Sequence, residues 1–207
     1  MTNTLRIIEF VALFGLVPVV LIYTEDIFPL IPTLLVLMGI VIVALRIQGW
    51  QYRELWILGP AREWRNMLLL FLAQAPFVAA VAYYYFPDDF FAFPREVPLI
   101  WLMVMVLYPL LSAFPQEVFY RLYLFRRFGD WFTSSNALIV VSALLFAFGH
   151  IMFMNWVAIL ATFFGGLVFA WRYQRSGSIV LATIEHGIYG NFFFTVGFGQ
   201  FIFSGAV

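Results

Sequence analysis

The chain has no cysteine, no lysine and only two histidines among its 207 residues. The lack of cysteine excludes a disulfide framework, a thiolate metal site and a cysteine nucleophile. Charge is also scarce. Charged residues make up 11% of the chain, where an ordinary soluble domain has about a quarter. A soluble fold would have too little polar surface to show to water. Net charge is zero, so no basic excess is present to hold a nucleic acid, and no nucleic-acid partner is expected. No internal repeat, low-complexity stretch or second domain is visible. Neither a Gly-x-Ser-x-Gly nor a His-Glu-x-x-His motif occurs, which leaves serine-hydrolase and zinc-peptidase chemistry unmarked.

What is present is apolar. Hydrophobic residues make up 64% and aromatic residues 21% of the sequence. Crossing a bilayer takes roughly 20 apolar residues. Candidate spans lie near 6–23, 28–45, 66–86, 98–127, 136–153, 155–172 and 178–196. The fourth is long and contains Pro109 and Pro115; it reads as one kinked helix or as a helix followed by a second short one. The expected fold is all-α: a polytopic transmembrane helix bundle of about seven or eight spans, with residues 1–207 as a single integral membrane domain. Only Arg6 precedes the first apolar run and no small-x-small site follows it, so the first segment reads as a retained helix. The tail from Gly197 to Val207 reads as re-entrant or interfacial.

The linkers give a topology. Arg46, Arg53, Arg62 and Arg65 fall in one linker, Arg121, Arg126 and Arg127 near a second, and Arg172 and Arg175 in a third. If the spans alternate, these share one side, and Glu25, Asp26, Asp88 and Asp89 share the other. The positive-inside rule puts the arginine-rich side in the cytoplasm. The expected location is the cytoplasmic (inner) membrane of a prokaryote, with membrane lipid as the surrounding partner.

Ionisable groups inside apolar runs are expensive and usually face the bundle interior or a wet cavity. Glu117, Arg121, His150, Glu185 and His186 are of this kind, and the two histidines are the only ones in the chain. Glu117 and Arg121, four apart, share a helix face and can pair. At about 1.5 Å per helical residue, Glu117 lies ~15 Å, His150 ~21 Å and His186 ~12 Å from the cytoplasmic ends of their spans. The three depths are comparable and near mid-bilayer. Other polar positions read more blandly. Glu185 points about 100° away from His186 and suits an arginine partner. Arg172 and Arg175 read as inner-face anchors, Asn155 as a helix cap, and Gly165-Gly166 as a close helix contact.

Gln116-Glu117-Val118-Phe119-Tyr120-Arg121 resembles the Glu-Glu-x-x-x-Arg motif of the CAAX-processing and bacteriocin-processing family, the intramembrane glutamic endopeptidases also called type II CAAX prenyl endopeptidases. Phe146-Ala147-Phe148-Gly149-His150 is similar to that family's Phe-x-x-x-His motif. His186 followed by Asn191 resembles its His-x-x-x-Asn motif. The resemblance covers about 98–196. It implies a catalytic set of Glu117, His150, His186 and Asn191, supported by Gln116 and Arg121, with no cofactor. Two departures stand out. The family's usual base is the first Glu of motif one, and here that position is Gln116, an amide that cannot act as a base. The family's Asn follows its His by four residues, and here Gly190 holds that place. Asn191 would need a bulge or local unwinding at Gly187 or Gly190 to come round.

The residues allow a peptide hydrolysis in which Glu117 takes a proton from water held by His150, and His186 and Asn191 donate to the oxyanion. Arg121 would orient Glu117, and Gln116 the water or the carbonyl. The substrate expected is a protein or peptide with a membrane-associated tail. A zinc site at Glu117, His150 and His186 is the metal alternative. Two other functions remain open: a catalytically silent membrane scaffold or self-immunity protein, marked by Gln116, and a small transporter component built on the buried Glu, Arg and His.

Overall fold

The computed structural model describes residues 3–24, 27 and 29–202. The described residues form helices and no strand. Seven helices are long and apolar enough to cross a membrane: α1 (Asn3–Thr24), α2 (Leu30–Ile47), α3 (Ala61–Tyr85), α4 (Pro98–Trp131), α5 (Ser135–Phe153), α6 (Trp156–Ser176) and α7 (Ile179–Val196). Their outer faces carry exposed Leu, Ile, Val and Phe, as lipid requires, because lipid tails give helices no hydrophobic reason to hide such residues.

The fourth span is one continuous helix. Its prolines are absorbed without a break. Pro98 starts the helix, where its missing N–H is not needed. Pro109 opens a wider π-helical turn over Pro109–Ala113, and a second π-helical turn covers Val118–Tyr123. Such turns insert one extra residue and are frequent at functional sites. Here the second lies directly after Glu117 and contains Arg121.

Alternation of the spans is supported by contacts that tie chain ends together. Arg6 pairs with Asp130, Arg127 with Glu9 at 2.6 Å, and Arg126 with Glu54. Ser178 donates to Ile57 O at 2.5 Å. These contacts gather the start of α1, the α2–α3 linker, the end of α4 and the α6–α7 turn at one end. At the other end Gln200 donates to Asp89 at 2.7 Å and Asn155 to Phe201 O at 2.8 Å. Glu25 and Asp26 lie outside the described residues. In the tail, Gly197 has φ of 104° and ends α7. A Cβ there would collide with the Asp89 backbone, so only glycine suits both the left-handed turn and the close approach. Gly199–Ile202 is a short helix, and 203–207 fall outside the described residues.

The core centres on α4, packed against Phe14 of α1, Val41 and Leu45 of α2, Phe146 of α5, Phe169 of α6 and Ile179 of α7. α5 and α6 pack tightly because Gly166 lets the backbones approach; a Cβ at Gly166 would lie 3.0 Å from Ala143 Cα. This is the close contact expected of the Gly165-Gly166 pair, carried by Gly166. Arg172 is not a lipid-interface anchor as expected. It is fully buried, and its guanidinium binds Glu63 on α3 at 2.7 Å and Glu185 on α7 at 3.0 and 3.1 Å. Arg175 is partly exposed and closes the network on Glu63 at 3.0 Å. The reason is Glu63, which the fold brings from the start of α3 to the end of α6. Glu185 has the arginine partner expected of it.

Candidate active site

Three spans carry the ionisable groups of the site, and α6 adds Gly166 and Phe169. Glu117 stands on α4 where the helix passes from an α to a π-helical turn, and it is fully buried. Its Oε1 accepts from His186 Nδ1 on α7 at 2.8 Å. Its Oε2 lies 3.2 Å from Arg121 Nε, close enough for an ion pair but not aligned for a hydrogen bond. Arg121 is held from three other directions. Its Nη2 donates to Gly166 O at 3.3 Å, and the guanidinium stands 4.4 Å over the Phe146 ring and 5.6 Å from Phe169. A desolvated cation over an aromatic face is favourable by about 2 kcal/mol. The charges of Glu117 and Arg121 cancel within the bundle.

His186 is gripped on every side. Its ring stacks on Phe169 at 4.7 Å and meets the edge of Phe146 at 5.4 Å. A carboxylate oxygen only accepts, so Nδ1 carries the hydrogen given to Glu117. In the neutral ring Nε2 is then the lone-pair nitrogen, and it lies 3.0 Å from the Tyr108 hydroxyl, which donates to it. The result is a chain from carboxylate through imidazole to phenol.

His150 is half-buried at the C-terminal end of the regular α5 helix. Its Nδ1 lies 2.7 Å from Phe146 O. A carbonyl also only accepts, so here too the hydrogen sits on Nδ1 and the neutral ring presents Nε2 as a lone pair. Phe146 packs against His150 at 4.6 Å. One phenylalanine thus walls both histidines, carries the arginine, and fixes the tautomer of His150 through its carbonyl.

Gln116 is buried. Its Nε2 donates to Ser112 at 2.9 Å, while its Oε1 has no hydrogen-bond partner among the described residues. Arg121 Nη1 is likewise buried and unpaired. Buried polar atoms left in this state are where a water or an incoming amide finds hydrogen bonds.

Asn191 departs from expectation. The helix runs through Gly187 and Gly190 without bulge or unwinding. Both glycines are spent on close packing: a Cβ at Gly187 would sit 3.0 Å from Pro109 Cβ, and one at Gly190 would fall inside the Tyr108 ring and hydroxyl. Among the described residues no hydrogen bond joins Asn191 to Glu117, His150 or His186. Its Nδ2 donates to Met105 O at 2.8 Å. The reason is Pro109, which has no N–H to give the carbonyl four residues back. Asn191 supplies that donor from the neighbouring helix, as lipid-embedded backbone requires.

Among the described residues no group of three or more His, Asp or Glu side chains is placed to hold a metal ion. Asn155 caps α6 by accepting from Ala158 N at 2.8 Å, the role expected of it. Tyr108, Phe146 and Phe169 complete the site. Only Phe146 was marked in sequence, as the first residue of its motif. A tyrosine in an apolar run carries too weak a signal, since tyrosine is also the ordinary residue of membrane interfaces.

No curated protein and no solved structure matches the chain. A family model does: residues 98–192 match the type II CAAX prenyl endopeptidase Rce1-like family. That segment holds Tyr108, Gln116, Glu117, Arg121, His150, His186 and Asn191, and over it the chain is similar to that family.

Proposed function

We propose that the protein is an intramembrane endopeptidase that hydrolyses a peptide bond in or near the bilayer, with Glu117, His150 and His186 at the reacting centre. The observation that carries this reading is the 2.8 Å bond between Glu117 and His186, two groups 69 residues apart buried together on different spans. A satisfied carboxylate–imidazole pair of this kind holds a histidine in one tautomer and stabilises the imidazolium that forms when its far nitrogen takes a proton. Glu117 therefore acts through His186 rather than on water directly, because both of its oxygens face Arg121 and His186. His150 offers a second Nε2 lone pair to hold the attacking water. The unpaired Gln116 Oε1 accepts from that water or from a substrate N–H. Arg121 balances the charge of Glu117 and fixes its carboxylate. A peptide with a membrane-associated tail fits as substrate, because apolar helices make up nearly all of the described protein. A prokaryotic inner membrane, with the arginine-rich end cytoplasmic, fits the charge pattern.

The test is cleavage of a library of membrane-tail peptides by purified protein in detergent. Wild type is compared with Glu117→Ala, His150→Ala and His186→Ala, with and without chelator. The expected result is cleavage lost in each variant and untouched by chelator. Loss on chelation would instead place a metal at the centre.

A second reading rests on one residue. Gln116 stands where the family's usual base would be, and a silent scaffold of the same fold would carry such an amide. Gln116→Glu separates the two. A scaffold gains activity, whereas an enzyme working through Glu117 and His186 is disturbed by a second buried carboxylate beside the first.

A further inference from the structure

Within the site, Gln116, Glu117, Arg121 and His186 are buried, whereas Tyr108, His150 and Asn191 are partly exposed. The groups with an open edge are the first that a substrate arriving from outside meets. Tyr108 is one of these, and its hydroxyl rests 3.0 Å from His186 Nε2. It stands in a space that α7 has cleared for it. Gly190 is one turn beyond His186 on the same helix face, and any side chain there would occupy the volume of the Tyr108 ring and hydroxyl. The Tyr108 ring is fixed edge-on by Phe194 at 5.2 Å. Asn191 Nδ2 donates to Met105 O at 2.8 Å.

We infer that the Tyr108 hydroxyl is the hydrogen-bond donor for the oxyanion of the hydrolysed peptide bond, a catalytic role in the space above Gly190. This rests on the peptidase reading. When substrate and water enter, water takes the place of the hydroxyl at His186 Nε2, and the freed O–H turns to the scissile carbonyl oxygen. The water oxygen bonds to the carbonyl carbon while its proton passes to Nε2. The carbonyl π electrons move to the oxygen, where the Tyr108 O–H meets the new charge; the phenol keeps its proton. The C–N bond then breaks as those electrons return, and the amine leaves with the proton from Nε2. The donor and the base are neighbours because they are hydrogen-bonded to each other at rest.

The experiment uses full-length protein and one fluorogenic peptide chosen from the tail library by wild-type cleavage. Tyr108→Phe keeps the ring and removes only the hydroxyl. The expected result is a fall in kcat of about 10²–10³-fold, the loss typical of one oxyanion donor, with KM little changed. Tyr108→Ala combined with Gly190→Asn places an amide donor in the vacated space and is expected to recover part of the loss relative to Tyr108→Ala alone. Equal kcat for wild type and Tyr108→Phe overturns the inference and leaves the peptidase reading standing. A loss confined to KM overturns it too, because that marks a residue that only binds substrate. A folded wild type that cleaves no peptide removes the peptidase reading and this inference together.

Discussion

Replacing Asn191 with alanine separates two roles that predict opposite results. If its amide serves the Met105 carbonyl that Pro109 leaves without a donor, the loss is one of stability. A buried carbonyl left unsatisfied costs about 1–3 kcal/mol, and interhelical hydrogen bonds within membranes lie toward the lower part of that range, at about 0.6–1.7 kcal/mol. The bond is short, at 2.8 Å, so Asn191→Ala is expected to destabilise by about 1–2 kcal/mol, with kcat per folded molecule unchanged. The cycle with Pro109→Ala sharpens the test. Alanine restores an N–H at position 109, which can serve Met105 O in place of Asn191. In that background Asn191→Ala should be milder, giving a coupling of about 1 kcal/mol, within the range for contacting residues. Stability is read from reversible unfolding in mixed micelles on addition of a denaturing detergent, and kcat from the peptide assay. A fall in kcat of about 10²-fold or more with stability unchanged would refute the reasoning and return Asn191 to the oxyanion.

Three other perturbations follow from the packing. Arg121→Met leaves the Glu117 carboxylate buried without its counter-charge and should destabilise by about 3–5 kcal/mol; Glu117→Gln combined with Arg121→Met should recover most of that, read by the same unfolding assay. Gly190→Ala drives a methyl into Tyr108 and should destabilise by about 1–3 kcal/mol, as overpacking does, and Tyr108→Ala should relieve it. Arg172→Met strips Glu185 of its buried partner and should cost more than Arg175→Met, because Arg175 is exposed and pairs with Glu63, which Arg172 also binds; thermal unfolding of the two variants ranks them.

The spans were legible because lipid dictates composition directly. A helix in hydrocarbon must be apolar over its whole length, so hydropathy finds it without knowledge of its partners. The buried Glu117–Arg121 pair was legible for the same reason, as charge at that depth stands out and the spacing of four closes the pair. The positions misread were those whose role depends on another helix. Arg172 looks like an anchor because it sits near a helix end, and nothing local announces Glu63, which lies 109 residues away. Whether α4 was one helix or two could not be read, since Pro109 can either break a helix or widen it, and the neighbours decide which.

Gly190 and Asn191 show the same dependence inside a motif. Read along α7 alone, the pair looks like a donor displaced by one residue, to be returned by a bulge. In the fold both positions answer to two consecutive residues of α4. Tyr108 fills the volume over Gly190, and Pro109 leaves the carbonyl that Asn191 serves. The space beside His186 holds either a side chain from position 190 or the ring from position 108, but not both. On the proposed reading the donor beside His186 comes from α4 rather than α7, and the third motif is then read together with Tyr108 and Pro109.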